Sequence, residues 1–93
     1  MCTYQTTTLA VTGSGKGSRG WFALSDASVY LDHPVHAPAQ HTLNVDLRNP
    51  QAGPSFRVAL ELDPRSARAL ATAILATLDA APPSLLGADP HAG

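Results

Sequence analysis

The sequence predicts a small α+β domain in which a four-stranded antiparallel sheet (β-β-β-β-α) is followed by one C-terminal helix packed on one face. Short segments of alternating apolar and polar residues fill the first two thirds of the chain, and glycine- or proline-rich segments separate them. One stretch with helical periodicity follows. Because the connections are short, we expect neighbouring strands to pair antiparallel. The 93 residues allow one domain with a thin core.

The first two predicted strands lie on either side of a glycine-rich segment. Residues 3–12 (TYQTTTLAVT) are rich in the branched and aromatic residues that favour strands. Residues 13–20 (GSGKGSRG) predict a flexible loop. After the short apolar segment 21–24, residues 27–32 (ASVYLD) alternate as a second strand.

Two more strands follow a segment that cannot lie inside a sheet. Residues 33–40 (HPVHAPAQ) contain two prolines, which interrupt strand pairing. The alternating residues 41–49 (HTLNVDLRN) predict a third strand. A turn over 49–55 leads to a fourth strand over 56–63.

A single helix completes the domain. Asp63 suits the N-cap, and Pro64 fits the first helical position. One apolar stripe is predicted from the three- and four-residue spacing of Ala67, Leu70, Ala71, Ile74, Leu75 and Leu78. Residues 1–81 then form the domain, and 82–93 are expected to be a flexible tail.

The rest of this helix carries unusually little charge after Arg68. A solvated helix face is usually more polar than the small residues found here, Ala69, Thr72, Ala73, Ala76 and Thr77. We therefore expect a homodimer, in which the helix or the open face of the sheet meets its copy.

Composition argues against several partners. The formal net charge is −1 and aromatics make up 5%, so neither a basic surface nor a stacking surface for nucleic acid is expected. The sequence has no apolar run of membrane-helix length, and because its first residues, MCTYQTTT, lack a basic start and an apolar run, we do not expect a secretion signal. The lone Cys2 fits a reducing compartment, which predicts a cytoplasmic protein.

The side chains best suited to bind a metal ion or transfer protons are grouped in a histidine-rich turn. His33, His36 and His41 lie within nine residues. If the first three strands pair in chain order, His33 and His41 meet at one edge of the sheet, where Cys2 also arrives. Imidazole and thiolate are ligands that Zn²⁺ prefers. Cys2, His33, His36 and His41 are therefore the predicted ligands of a divalent metal ion, with Zn²⁺ the best match.

Three ligands and an open position would suit catalysis, whereas four would suit a structural site. Asp32 is a candidate to orient an imidazole or to bind the ion itself. The alternative is that these histidines are solvent-exposed or hydrogen-bonded loop residues, or that they transfer protons without a metal.

Polar side chains on the other face of the sheet supply the catalytic candidates Asp46, Glu61 and Tyr30. Their alternative role is a solvated face with cross-strand pairs, to which Asn44 and Arg57 would also belong.

The segment GSGKGSRG does not match a phosphate-binding P-loop, because Lys16 is followed by Gly17 instead of Ser or Thr. Its amides with Lys16 and Arg19 could hold an anion. The alternative is a mobile hairpin loop, with Trp21 capping the core or forming the wall of a pocket.

The chain resembles a family of small actinobacterial proteins of unknown function, some encoded in biosynthetic gene clusters. The shared features are MCTY at 1–4, GSGKG at 13–17, GW at 20–21, DHPxHAxxxHTLN at 32–44 and SARAL at 66–70. The resemblance implies a role in specialised metabolism.

Two functional hypotheses follow. The first is a small zinc-binding enzyme acting on a small organic metabolite by isomerisation, cyclisation, dehydration or hydrolysis, with the metal polarising a carbonyl or activating water. The second is a non-catalytic binding or accessory protein whose metal is structural or absent.

Overall fold

The computed structural model describes residues 5–33 and 40–87. Four antiparallel strands pair in chain order, and a helix follows them. The elements are β1 (Thr7–Gly17), β2 (Gly20–Asp32), β3 (Thr42–Arg48), β4 (Arg57–Leu62), α1 (Pro64–Ala80) and a short 3-10 helix (Pro83–Leu85). The predicted β-β-β-β-α architecture is therefore confirmed.

The glycine-rich segment is not the flexible loop that the sequence predicts. Residues 13–17 form the second half of β1 and pair with the start of β2. Only Ser18 and Arg19 make the turn, and Gly20 follows with a positive φ of 96°. A bulge between Ala10 and Gly13 separates the two halves of β1. A bulge bends a strand, so the hairpin can turn towards β4.

The lack of a side chain at Gly15 permits a close contact at this end of the hairpin. A Cβ atom there would lie 3.3 Å from both Leu24 Cδ2 and Val58 Cγ2. Nearby, the Phe22 and Phe56 rings pack edge to face with their centroids 5.5 Å apart. The glycines therefore serve packing between the hairpin and β4.

Cross-strand register separates an apolar face of the sheet from a polar one. Directly opposed residues place their side chains on the same face. The apolar rows that cross β2, β3 and β4 are Ala27–Leu47–Val58, Val29–Val45–Leu60 and Leu31–Leu43–Leu62. The polar face carries Ser28, Tyr30, Asn44, Asp46, Arg57 and Glu61.

Helix α1 begins as predicted. Asp63 is its N-cap, and its Oδ1 accepts a hydrogen bond from the Ser66 amide at 2.6 Å. This bond is the main reason why the pKa of Asp63 lies below its ordinary value.

The helix lies beside the apolar face without closing over it. An open groove of about 490 Å³ separates the two, with Val29, Leu31 and Leu43 on the sheet and Ala67, Ala71 and Leu75 among the helix residues. No residue of α1 is buried, and Ala27 is the one buried apolar residue in the described part of the chain. The predicted packing of helix on sheet is thus present but incomplete. Within residues 5–33 and 40–87, no helix is long and apolar enough to cross a membrane.

Candidate functional site

Antiparallel pairing brings His33 and His41 together. Asp32, the last residue of β2, is paired with Thr42, the first residue of β3, so the residues just beyond them are neighbours. The imidazole centroids of His33 and His41 are 4.8 Å apart, and the two ring planes are inclined to each other by 36°. The predicted convergence of these two histidines is therefore present. We call His33, His41 and the flanking Asp32 and Gln40 the histidine edge.

The His33 imidazole is held by the backbone. Its Nδ1 lies 3.3 Å from the carbonyl oxygen of Gln40. A carbonyl oxygen only accepts hydrogen bonds, so this contact favours the tautomer with the proton on Nδ1. The lone pair is then on Nε2, which is a common arrangement for a histidine that binds metal.

Asp32 contacts the backbone of His33. Its Oδ1 accepts a hydrogen bond of 2.7 Å from the backbone amide of His33. The carboxylate therefore fixes the chain where it leaves β2.

The other predicted metal ligands, Cys2 and His36, lie outside the described residues. Within the described ranges, no three His, Cys, Asp or Glu side chains form a group that could hold a metal ion. What the described residues supply is a pair of adjacent imidazoles, with His33 exposed and His41 half-buried.

Asp46 and Tyr30, two of the catalytic candidates, belong to one hydrogen-bonded cluster. The Tyr30 hydroxyl donates to Asp46 Oδ2 at 3.0 Å. Arg57 donates to Oδ1 from Nε at 3.1 Å and from Nη2 at 2.7 Å. The hydrogen bond and the charge of Asp46 raise the pKa of Arg57. Both carboxylate oxygens are thus already engaged, which disfavours Asp46 as a general base.

Glu61, the third catalytic candidate, lies on the same polar face in β4. It is directly opposite Asn44 of β3 and is half-buried. Asn44 is itself buried, and its Oδ1 accepts a hydrogen bond from the buried Thr42 hydroxyl at 2.6 Å. The ladder therefore places Glu61 beside a buried polar pair.

Sequence reasoning missed a cleft at the opposite end of the polar face. It has a volume of about 480 Å³ and is lined by Asp46, Arg48, Pro50, Gly53, Pro54, Phe56 and Arg57. The Arg48 guanidinium is tied to Asp26 Oδ2 and Ser28 Oγ, each at 3.1 Å. The lining residue of β3 that is nearest to Thr42 is Asp46, four residues or about 13 Å away along the strand. The cleft and the histidine edge are therefore separate features.

The lining of this cleft could not be found by periodicity. Pro50, Gly53 and Pro54 come from the segment 49–55 that the sequence marks only as a turn. Phe56 falls in the predicted fourth strand, and the arginines look like ordinary surface residues. Arg19, one of the two cations of the anion site considered from the sequence, lies over an aromatic ring. Its Cζ is 5.9 Å from the centroid of the Phe56 ring.

Comparison with known protein families assigns the chain to a group. A family profile matches residues 1–87, which includes every described residue. The chain belongs to DUF6295, a family of unknown function. The DUF6295 match spans the whole sheet, α1 and the histidine edge, so these features are parts of one family domain. No curated protein and no solved structure is significantly similar to the chain.

Proposed function

We propose that this protein binds a divalent metal ion at the histidine edge, with Zn²⁺ the best match to its ligands. The observation that carries the proposal is the pair of imidazoles whose centroids are 4.8 Å apart. Zinc accepts imidazole nitrogens at roughly 2.0–2.1 Å, so two ligands of one ion must come from adjacent rings. His36 and Cys2, which lie outside the described residues, are the further ligands that the proposal takes from the sequence.

The environment of His33 supports this assignment. A metal-binding histidine usually donates its second ring N–H to a carbonyl or carboxylate, which fixes the ring and its tautomer. The Gln40 carbonyl is placed for that role beside Nδ1. Nε2 of His33 is therefore the atom that we assign to the metal.

The described residues favour a non-catalytic binding or accessory role over an enzyme that uses Asp46 as its base. The candidate base Asp46 is engaged by Tyr30 and Arg57 through both oxygens. It also lies four residues along β3 from Thr42, about 13 Å from the histidine edge. Catalysis on a small metabolite would need another base. A metal that joins the ends of β2 and β3 would instead stabilise a domain with little core.

Calorimetric titration with Zn²⁺ tests the proposal. Metal-stripped protein should bind one equivalent per chain, and His33→Ala or His41→Ala should each weaken binding by at least about tenfold, because each removes a ligand. His91→Ala is the matched control, since it removes a histidine from the far end of the sequence. Unchanged affinity in both edge variants, or loss of binding in the control alone, would overturn the proposal.

A further inference from the structure

The apolar side of α1 remains largely exposed in a single chain. Leu70, Ile74 and Leu78 form a row at four-residue spacing, and their exposed fractions are 47%, 52% and 49%. Leu75, which lines the groove, is 62% exposed. We call the row Leu70, Ile74 and Leu78 the leucine row. A 17-residue helix without a packed face is marginally stable in water, so this face requires a cover.

We propose that a second copy of this chain covers it, in a homodimer formed by the leucine row of each α1 and the groove between α1 and the sheet. Each chain offers both a protruding apolar row and an open apolar groove beside it. A two-fold axis brings the same patch of both chains together, so one chain's row can pack into its partner's groove. This inference is independent of metal binding.

The exposed apolar surface extends from the helix onto the sheet. Besides the leucine row, Leu75 is 62% exposed, and Leu31 and Leu60 on the apolar face of the sheet are each 38% exposed. Leu31 and Leu75 line the same groove. A continuous apolar surface of this kind is typical of obligate homodimer interfaces, which are more hydrophobic than transient ones.

The charge pattern also favours a second copy over a membrane. Residues 69–78 of α1 contain no charged side chain. Charge depletion is typical of the centre of a protein interface. Helices that lie on membranes instead carry a lysine- and arginine-rich polar face, which α1 lacks beyond Arg65 and Arg68.

Sedimentation of the full chain over a hundredfold range of concentration tests the inference. We expect a dimer, and a thermal unfolding midpoint that rises with protein concentration, because dimerisation and folding are linked. Ile74→Glu should weaken the dimer at least about a hundredfold, since it places two charges in the interface. Ala76→Glu, with the same charge change on the opposite side of the helix, should leave the dimer intact.

Several outcomes would overturn the inference. One is a wild-type monomer at all concentrations with a constant unfolding midpoint. Another is a dimer broken by Ala76→Glu and not by Ile74→Glu. Binding of the monomer to neutral or anionic lipid vesicles, or its recovery only in complex with a different protein, would assign the apolar face to another occupant. The concentration dependence of wild-type unfolding keeps the test valid even if Ile74→Glu fails to fold.

Discussion

Shortening Ile74 to alanine should weaken the association of two chains by a predictable amount. The substitution removes three carbon atoms, each worth about 0.8 kcal/mol when buried, so full burial is worth about 2.4 kcal/mol. Ile74 is 52% exposed in the single chain. About half of this free energy, roughly 1.2 kcal/mol per chain, would therefore come from the contact with the partner. Two chains give about 2.4 kcal/mol, or about a 60-fold higher dissociation constant.

Alanine is a suitable replacement because it is the best helix former. Any loss of association then reflects missing packing and not a weaker helix. The dissociation constant is measured by sedimentation equilibrium, with Ala76→Ser as the control on the opposite side of α1. The control should change the constant less than about twofold, because surface substitutions usually have small effects. A change of less than threefold for Ile74→Ala would refute the placement of the leucine row in the interface.

Three further predictions concern the sheet and the helix N-terminus. Gly20→Ala should lower the free energy of unfolding by about 1–2 kcal/mol, because Gly20 has a φ of 96° that other residues adopt only with strain; an unchanged urea midpoint would contradict this. A double-mutant cycle of Asp46→Ala and Arg57→Ala should give a coupling of about 0.5–1 kcal/mol, since two guanidinium nitrogens donate to Asp46 Oδ1 but Arg57 is half-exposed; additive effects would show that the pair contributes nothing. The pKa of Asp63 is lowered in the folded protein, so its carboxylate stabilises the folded state at any pH above the pKa of Asp63 in the unfolded chain. This stabilisation is lost as the pH falls through the pKa of Asp63 in the folded state. Thermal unfolding below about pH 4 should thus be less pH-dependent in Asp63→Asn than in the wild type, and identical slopes would exclude this role.

The parts of the fold with alternating side chains could be predicted from the sequence. β3 and β4 lie within one residue of their predicted limits at each end, because apolar and polar residues alternate through both. The second half of β1 was predicted as a loop, because a glycine-rich segment lacks the alternation of apolar and polar side chains by which a strand is recognised. Its role depends on the close contact of Gly15 with Leu24 and Val58, which is visible only in three dimensions.

The candidate site was predictable to the extent that strand order decides it. Pairing of the second and third strands places His33 beside His41, and the structure has this arrangement. The engagement of Asp46 by Tyr30 was hidden, because the two residues are not direct cross-strand partners and meet diagonally across the ladder. The exposure of α1 was also hidden. Its periodicity reveals an apolar stripe, but not how far the helix stands from the sheet.

The central functional claim concerns one nitrogen atom, Nε2 of His33. Long-range ¹H–¹⁵N NMR spectra of the histidine rings, recorded before and after one equivalent of Zn²⁺, observe it directly. We expect Nδ1 of His33 to carry the proton throughout, because the Gln40 carbonyl lies 3.3 Å away. Zn²⁺ should shift the Nε2 resonance of His33 together with a ring nitrogen of His41, and leave His91 unchanged. Resonances of His33 and His41 that do not respond to Zn²⁺ would contradict the claim.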